Sequence, residues 1–188
     1  MTAISHIQES LAVKEKVLTQ LPEVIESTGH VLVDALKNGH KVLVCGNGGS
    51  AADAQHFAAE LINRFETERA PLPAIALTTD SSNLTSIAND YSYEVVFSKQ
   101  VQALGQSGDV LIAISTSGNS VSINNAVEVA LAKGMHVLAL TGETGGKMAE
   151  IVSDHLHLVK IPSHRTARIQ EMHILVIHIW CAMIDQAF

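Results

Sequence analysis

The chain has 188 residues, 47% apolar and only 16% charged. That suits one domain with a single large core, and apolar surface beyond it is expected to be buried between subunits. A formal net charge of −7 excludes bulk attraction to nucleic acid or an anionic membrane, while leaving room for a local phosphate pocket.

Cys45 and Cys181 are the only cysteines. They lie in separate apolar segments and read as two buried thiols of a reducing, cytoplasmic compartment rather than a disulfide. The opening MTAISHIQES has no basic region followed by an apolar one, so no signal peptide is expected. The most apolar stretch, Ile174 to Ile184, is too short to span a bilayer.

In chain order, residues from about Ser5 to Lys37 read as two helices, the second opened by Pro22 and stopped near Asn38-Gly39. From there one theme repeats: a short apolar run, a turn rich in small polar residues, then a helix. Lys41 to Cys45 is followed by GNGGS and a helix from Ser50 to Phe65. Ala74 to Leu77 is followed by the segment TTDSSNLTSIAND and a helix from Tyr93 to Leu104. Asp109 to Ile114 leads into STSGNS and a helix through Lys133. His136 to Leu140 leads into TGETGG and a short helix to Ile151, and His155 to Ile161 precedes a long helix from Thr166 to Gln186. Continuous apolar strands alternating with helices predict a three-layer αβα sandwich on a parallel sheet, one domain over 1–188.

Ligands of such sheets bind beyond the carboxyl ends of the strands. The loop Ser115-Thr116-Ser117-Gly118-Asn119-Ser120 offers four hydroxyls at a helix start, and Ser50 follows the glycines of the first loop. Together they form a phosphate cradle of hydroxyls, backbone N–H groups and helix dipole. Neither a dinucleotide fingerprint nor a nucleotide triphosphate loop follows any strand. His56 and Glu60 are one turn apart on one helix face, a spacing that serves acid–base work or metal binding and is equally that of a solvated pair. In the last helix Gln170, Glu171, His173 and His178 stand among Ile and Leu. Facing water at the helix start accounts for Glu171 and His173. His178, flanked by isoleucines, is expected to be buried with a partner, either as a site residue or as a satisfied core histidine. Asp90, after Asn89, either orients a hydroxyl or a histidine, or caps the helix that follows.

The segments VLVCGNGGSAADAQHFAAEL (Val42 to Leu61), GDVLIAISTSGNS (Gly108 to Ser120) and ARIQEMHILVIHIW (Ala167 to Trp180) resemble the sugar isomerase (SIS) domains, and among them the phosphoheptose isomerases. The resemblance runs from about Leu36 to Ile184 and extends to the paired N-terminal helices. It implies a flavodoxin-like SIS fold assembled as a homotetramer, with residues 1–38 packing in the oligomer and active sites between subunits. It implies conversion of sedoheptulose 7-phosphate to D-glycero-D-manno-heptose 7-phosphate, a step toward lipopolysaccharide. Carried over by position, Glu60 and His178 are the acid–base pair, and His56, Glu60, Gln170 and His178 the ligands of a zinc ion. Asn47, Gly48, Gly49, Ser50, Asn89, Asp90, Ser115, Thr116, Ser117, Ser120 and Gln170 are then the substrate contacts. Ala167 stands where some members carry Asp, so that contact is not transferred.

INRFETER and IPSHRTARIQEMH also resemble the DnaA initiator-associating protein, a non-catalytic module of the same fold. That resemblance implies a replication initiator as partner in place of a sugar phosphate. The module lacks the Glu and His found here at 60 and 178, so the enzyme reading is favoured.

Overall fold

A computed structural model describes residues 2–188. Two helices come first: α1 (Ala3–Gln20) starts at a capping box in which Thr2 and Ser5 exchange side-chain and backbone hydrogen bonds, and α2 (Pro22–Lys37) carries Pro at its first position. The α/β unit follows as β1 (Val42–Gly46), α3 (Gly49–Ile62), β2 (Ala74–Ala76), α4 (Ser81–Asp90) and α5 (Val96–Leu104). It continues through β3 (Val110–Ser115), α6 (Val121–Ala132), β4 (His136–Gly142), β5 (Leu156–Ile161) and α7 (Thr166–Ala187). Short 3₁₀ turns occupy Tyr93–Val95 and Gly146–Glu150.

The five strands are all parallel in the order β2-β1-β3-β4-β5. This is a flavodoxin-like order, with its switch point between β1 and β3. β1 and β3 are buried at every position, because both faces are covered and alternate residues feed two cores. Val42, Val44, Val110 and Ile112 pack with α2, α3 and α7, while Leu43, Cys45, Leu111 and Ala113 pack with α5 and α6. Cys45 and Cys181 are buried and free, and burial pushes each thiol up to about 12.

One predicted connection is corrected. TTDSSNLTSIAND is not a loop: Asp80 caps α4 by accepting the N–H of Asn83, and Leu84, Ile87 and Ala88 lean on the second core. No residue of α4 is fully buried, so its stripe is too thin to read against its many polar residues. A second correction concerns α7. The apolar stretch 174–184 is part of a 22-residue helix that is long and apolar enough to cross a membrane by length and composition. In this fold half of its apolar window is buried.

α7 is the helix on which the first core closes. Met172, Val176, Ile177, Trp180 and Ile184 are fully buried. The Trp180 indole N–H donates to the Ile25 carbonyl (3.1 Å) and the Thr28 hydroxyl (3.2 Å), tying α7 to α2. His173 is also fully buried, its Nε2 paired with the Thr141 carbonyl at 3.2 Å while Nδ1 has no partner. Burial holds its pKa down at about 4 against the carbonyl's upward pull, so the ring is neutral at pH 7. Near the end of α7 the Asp185 carboxylate accepts the N–H groups of Glu66 and Thr67 and the Arg69 guanidinium. Burial pushes this carboxyl upward, but those donors outweigh it and hold the group below its ordinary range.

Trp180→Phe, which leaves the Ile25 carbonyl without its indole donor, is expected to cost about 1–3 kcal/mol in urea unfolding. Acid stability follows from the two shifted groups. His173 is depressed, so the stability it permits is complete above its unfolded value of about 6.5 and is lost as pH falls toward 4. Asp185 adds a further loss below the ordinary carboxylate range. About 3 kcal/mol should disappear between pH 7 and 4, and His173→Phe should flatten that slope; an unchanged slope in the variant would remove His173 from the account.

Candidate active site

The loops leaving β1 and β3 flank the switch point and enclose a cavity of about 200 Å³ lined by Asn47, Ser50, Ser115, Thr116, Ser117, Ser120 and Gln170. Asn47 is its hub: Nδ2 donates to the hydroxyls of Ser120 (2.9 Å) and Ser122 (3.1 Å), and Oδ1 accepts the Tyr93 hydroxyl (2.7 Å). Ser120 is the N-cap residue of α6, yet its hydroxyl makes no capping bond; it accepts from Asn47 and lies 3.4 Å from the Ser122 hydroxyl. Ser117 Oγ accepts the N–H of Asn119 at 3.1 Å.

Two glycines make the close approaches possible. A Cβ on Gly49 would lie 2.6 Å from Gln170 Nε2, so a bare backbone lets α7 reach the start of α3. Gly118 has φ 65°, and a Cβ there would meet the Gly145 carbonyl oxygen. The loops leaving β3 and β4 are held backbone to backbone, with Gly142 N–H donating to the Thr116 carbonyl and Met148 N–H to that of Gly118. The starts of α3 and α6 both face the cavity, and no Lys or Arg of this chain lines it; its neutral donors and helix starts are chemistry that can receive an anion.

The second group lies further along α3 and α7. His56 Nε2 is 3.2 Å from Glu60 Oε1 and 3.1 Å from His178 Nε2, with the Phe65 ring 5.5 Å from that of His178. Glu60 and His178 therefore meet within one subunit through His56. Arg69 fixes the end of α3 by donating to the carbonyls of Glu60 (2.7 Å) and Leu61 (2.9 Å), and Asp185 in turn holds Arg69.

Several expectations change here. His178 is half-exposed and His173 is the buried one, the reverse of the expected assignment. Five residues on a helix rotate by about 140°, so the two rings cannot share a face, and flanking isoleucines do not reveal which faces the core. Gln170 and His178 are eight residues apart, about 12 Å along the axis. Gln170 sits against Gly49 while His178 sits against His56, so one subunit does not gather the four expected zinc ligands around a point.

Among the described residues no three His, Cys, Asp or Glu side chains form a metal-ready set. The imidazole separation at His56 and His178 does match the roughly 3.3 Å between two nitrogens on a tetrahedral zinc. The donor types fit a metal; the closed cage is not present in one chain. Asn89 and Asp90 end α4, exposed, with Asn89 Nδ2 donating to Asp90 Oδ1 at 2.9 Å. Neither lines the cavity, and Asp90 caps no helix.

Sequence reasoning missed Tyr93 and Ser122, whose only signal is spatial, and Asp53. The Asp53 Oδ2 is buried without a partner one turn before His56, its carboxyl raised by burial and lowered in opposition by His56.

Residues 5–142 match the SIS domain family model. The chain is 55% identical over 183 residues to a phosphoheptose isomerase of Alteromonas mediterranea, covering 97% of this chain and 92% of that protein. It is 57% identical over 178 residues to one of Shewanella denitrificans, covering 95% and 91%. Its fold superposes on the phosphoheptose isomerase of Neisseria gonorrhoeae with a TM-score of 0.92 at 50% identity (97% and 96% covered). The Francisella tularensis phosphoheptose isomerase gives 0.95 at 44% identity, with 99% and 100% covered. By this similarity along nearly its whole length, the chain belongs to the phosphoheptose isomerase family of SIS-domain proteins.

Proposed function

We propose that the protein interconverts sedoheptulose 7-phosphate and D-glycero-D-manno-heptose 7-phosphate, in the cytoplasm and toward lipopolysaccharide heptose. The observation that carries this reading is the joining of Glu60, His56 and His178 on α3 and α7, which also reach a cavity lined by hydroxyls. Relatives named phosphoheptose isomerase at 55–57% identity support it, and the non-catalytic initiator-binding alternative finds no such support.

The phosphate occupies the hydroxyl cradle of Ser115, Thr116, Ser117 and Ser120, with Ser50 at the start of α3, and anchors the end of the sugar that does not react. Binding energy gathered there positions the reacting carbons. Aldose–ketose interconversion then moves one proton between adjacent carbons through an enediol and another between their oxygens. Glu60 and His178 divide those two transfers, and His56, in contact with both, orients them. A zinc ion held by His56, Glu60 and His178 would polarise the substrate oxygens. Within its own subunit Gln170 lines the cradle.

The acid–base group is open on its outer side, where His56 is 42% exposed. A groove of about 450 Å³ lined by Leu11, Leu18, Pro22, Ile25, Leu175 and Ile179 lies uncovered between α1, α2 and α7. A homotetramer packed through these helices covers both surfaces.

Pure protein, eluting at the mass of four chains, is expected to convert sedoheptulose 7-phosphate to an aldoheptose phosphate. Glu60→Gln and His178→Gln should each lower kcat by at least 100-fold with the assembly intact; near-normal turnover would remove that residue from the chemistry. Ser117→Ala and Ser120→Ala should act mainly through a higher KM, each by roughly tenfold for one lost hydrogen bond to a charged group. An unchanged KM would count against the cradle.

A further inference from the structure

The active-site cavity occupies the carboxyl edge of the sheet. At the opposite, amino edge four histidines collect that the isomerase chemistry does not use. His136 opens β4 and His155 directly precedes β5, with the Val137 N–H bonded to the His155 carbonyl at 2.8 Å. That register sets the two side chains next to each other on one face of the sheet, and His157, two residues on, shares the face. The Nδ1 atoms of His136 and His155 are 3.3 Å apart with ring centroids at 4.7 Å. The His157 ring stacks on that of His136 at 6.2 Å, and its Nε2 is buried with no hydrogen-bond partner. His40 approaches from the α2–β1 turn, its Nδ1 3.8 Å from the Asp109 carboxylate.

We propose that His136 and His155, with His157 as third donor, form a second site for a divalent transition-metal ion of the zinc class. Two imidazole nitrogens on one tetrahedral zinc are separated by roughly 3.3 Å, from Zn–N bonds of about 2.0–2.1 Å. His136 and His155 already stand at that distance. An all-imidazole donor set suits zinc, copper or nickel rather than magnesium or calcium. The orphaned His157 nitrogen has no protein donor or acceptor to satisfy it, and a metal supplies what is missing.

Burial and the neighbouring histidines hold His136 and His157 below the usual imidazole value, which keeps their lone pairs free at neutral pH. The three rings are not a closed set as they stand; His157 completes the site by a side-chain rotation. His155 is exposed, so an ion reaches the pair directly from solvent. The inference is independent of the isomerase reading, since every ligand lies at the other end of the strands.

The test is calorimetric titration of Zn²⁺ alone into metal-stripped, full-length protein carrying His56→Asn and His178→Asn, which removes the first candidate centre. One equivalent per chain is expected to remain. Adding His155→Asn, an exposed change that opens no core, should weaken that binding at least tenfold, and adding His136→Asn should abolish it. In the otherwise native chain, His136→Asn with His155→Asn should leave turnover of the sugar phosphate unchanged. Absence of binding to the first variant, or binding undiminished by His155→Asn, overturns the site and leaves a pair of histidines sharing a proton.

Discussion

The packing of α7 along α3 is the constraint on which the rest of this molecule depends. α7 must close the first core with Met172, Val176, Ile177 and Trp180, all fully buried, and also present Gln170 and His178 on another stripe. Its side-by-side course with α3 places Gln170 at Gly49 and His178 at His56. A rotation of α7 by one residue, about 100°, would bury His178 and expose apolar side chains. The Trp180 bonds to α2 and the His173 bond to Thr141 fix that rotation from two other directions. Core polar groups are here the means by which surface polar groups are aimed.

The strand order then decides where a ligand can sit. Between β1 and β3 the following helices leave on opposite faces, and the gap between their starts is the cavity. Asn47 spans that gap from the β1 loop to Ser120 and Ser122 of the β3 side, with Tyr93 closing from the α4–α5 segment. One amide thus registers three parts of the chain that are far apart in sequence. Its four hydrogen-bonding positions suit the task, whereas a hydroxyl or carboxylate has either too few donors or none.

Much of this was legible in the residues, and what was not has physical reasons. The central strands β1, β3 and β4, buried on both faces, read as unbroken apolar runs, and the edge strands β2 and β5 were located to within a residue or two from the turns and helices that bound them. Pro22 and the glycine-rich turns marked where helices begin and end. α4 was missed because it buries no residue fully and its sequence SSNLTSIAND is polar on nearly every side. The exchange of roles between His173 and His178 came from judging burial by neighbours in sequence, where a helix sorts residues by angle. The helix rise keeps Gln170 and His178 of one subunit about 12 Å apart, a separation that a list of ligands by position does not register. Tyr93 and Ser122 carry no local pattern at all, because their partner Asn47 lies 46 and 75 residues away.

The charge balance clarifies how such a site handles an anionic substrate. A chain of net charge −7 gives a phosphate no long-range attraction, and the cavity lining supplies no lysine or arginine. Within one subunit the proposed cradle offers hydroxyls, amides and two helix starts, donors whose reach ends within the first turn. A guanidinium clamp would grip the phosphate more tightly, but equally in substrate, intermediate and product, and uniform binding does not accelerate the chemical step. Neutral donors fix position without that excess. A reversible isomerisation, whose substrate and product carry the same phosphate, is served by a cradle that orients and then releases it.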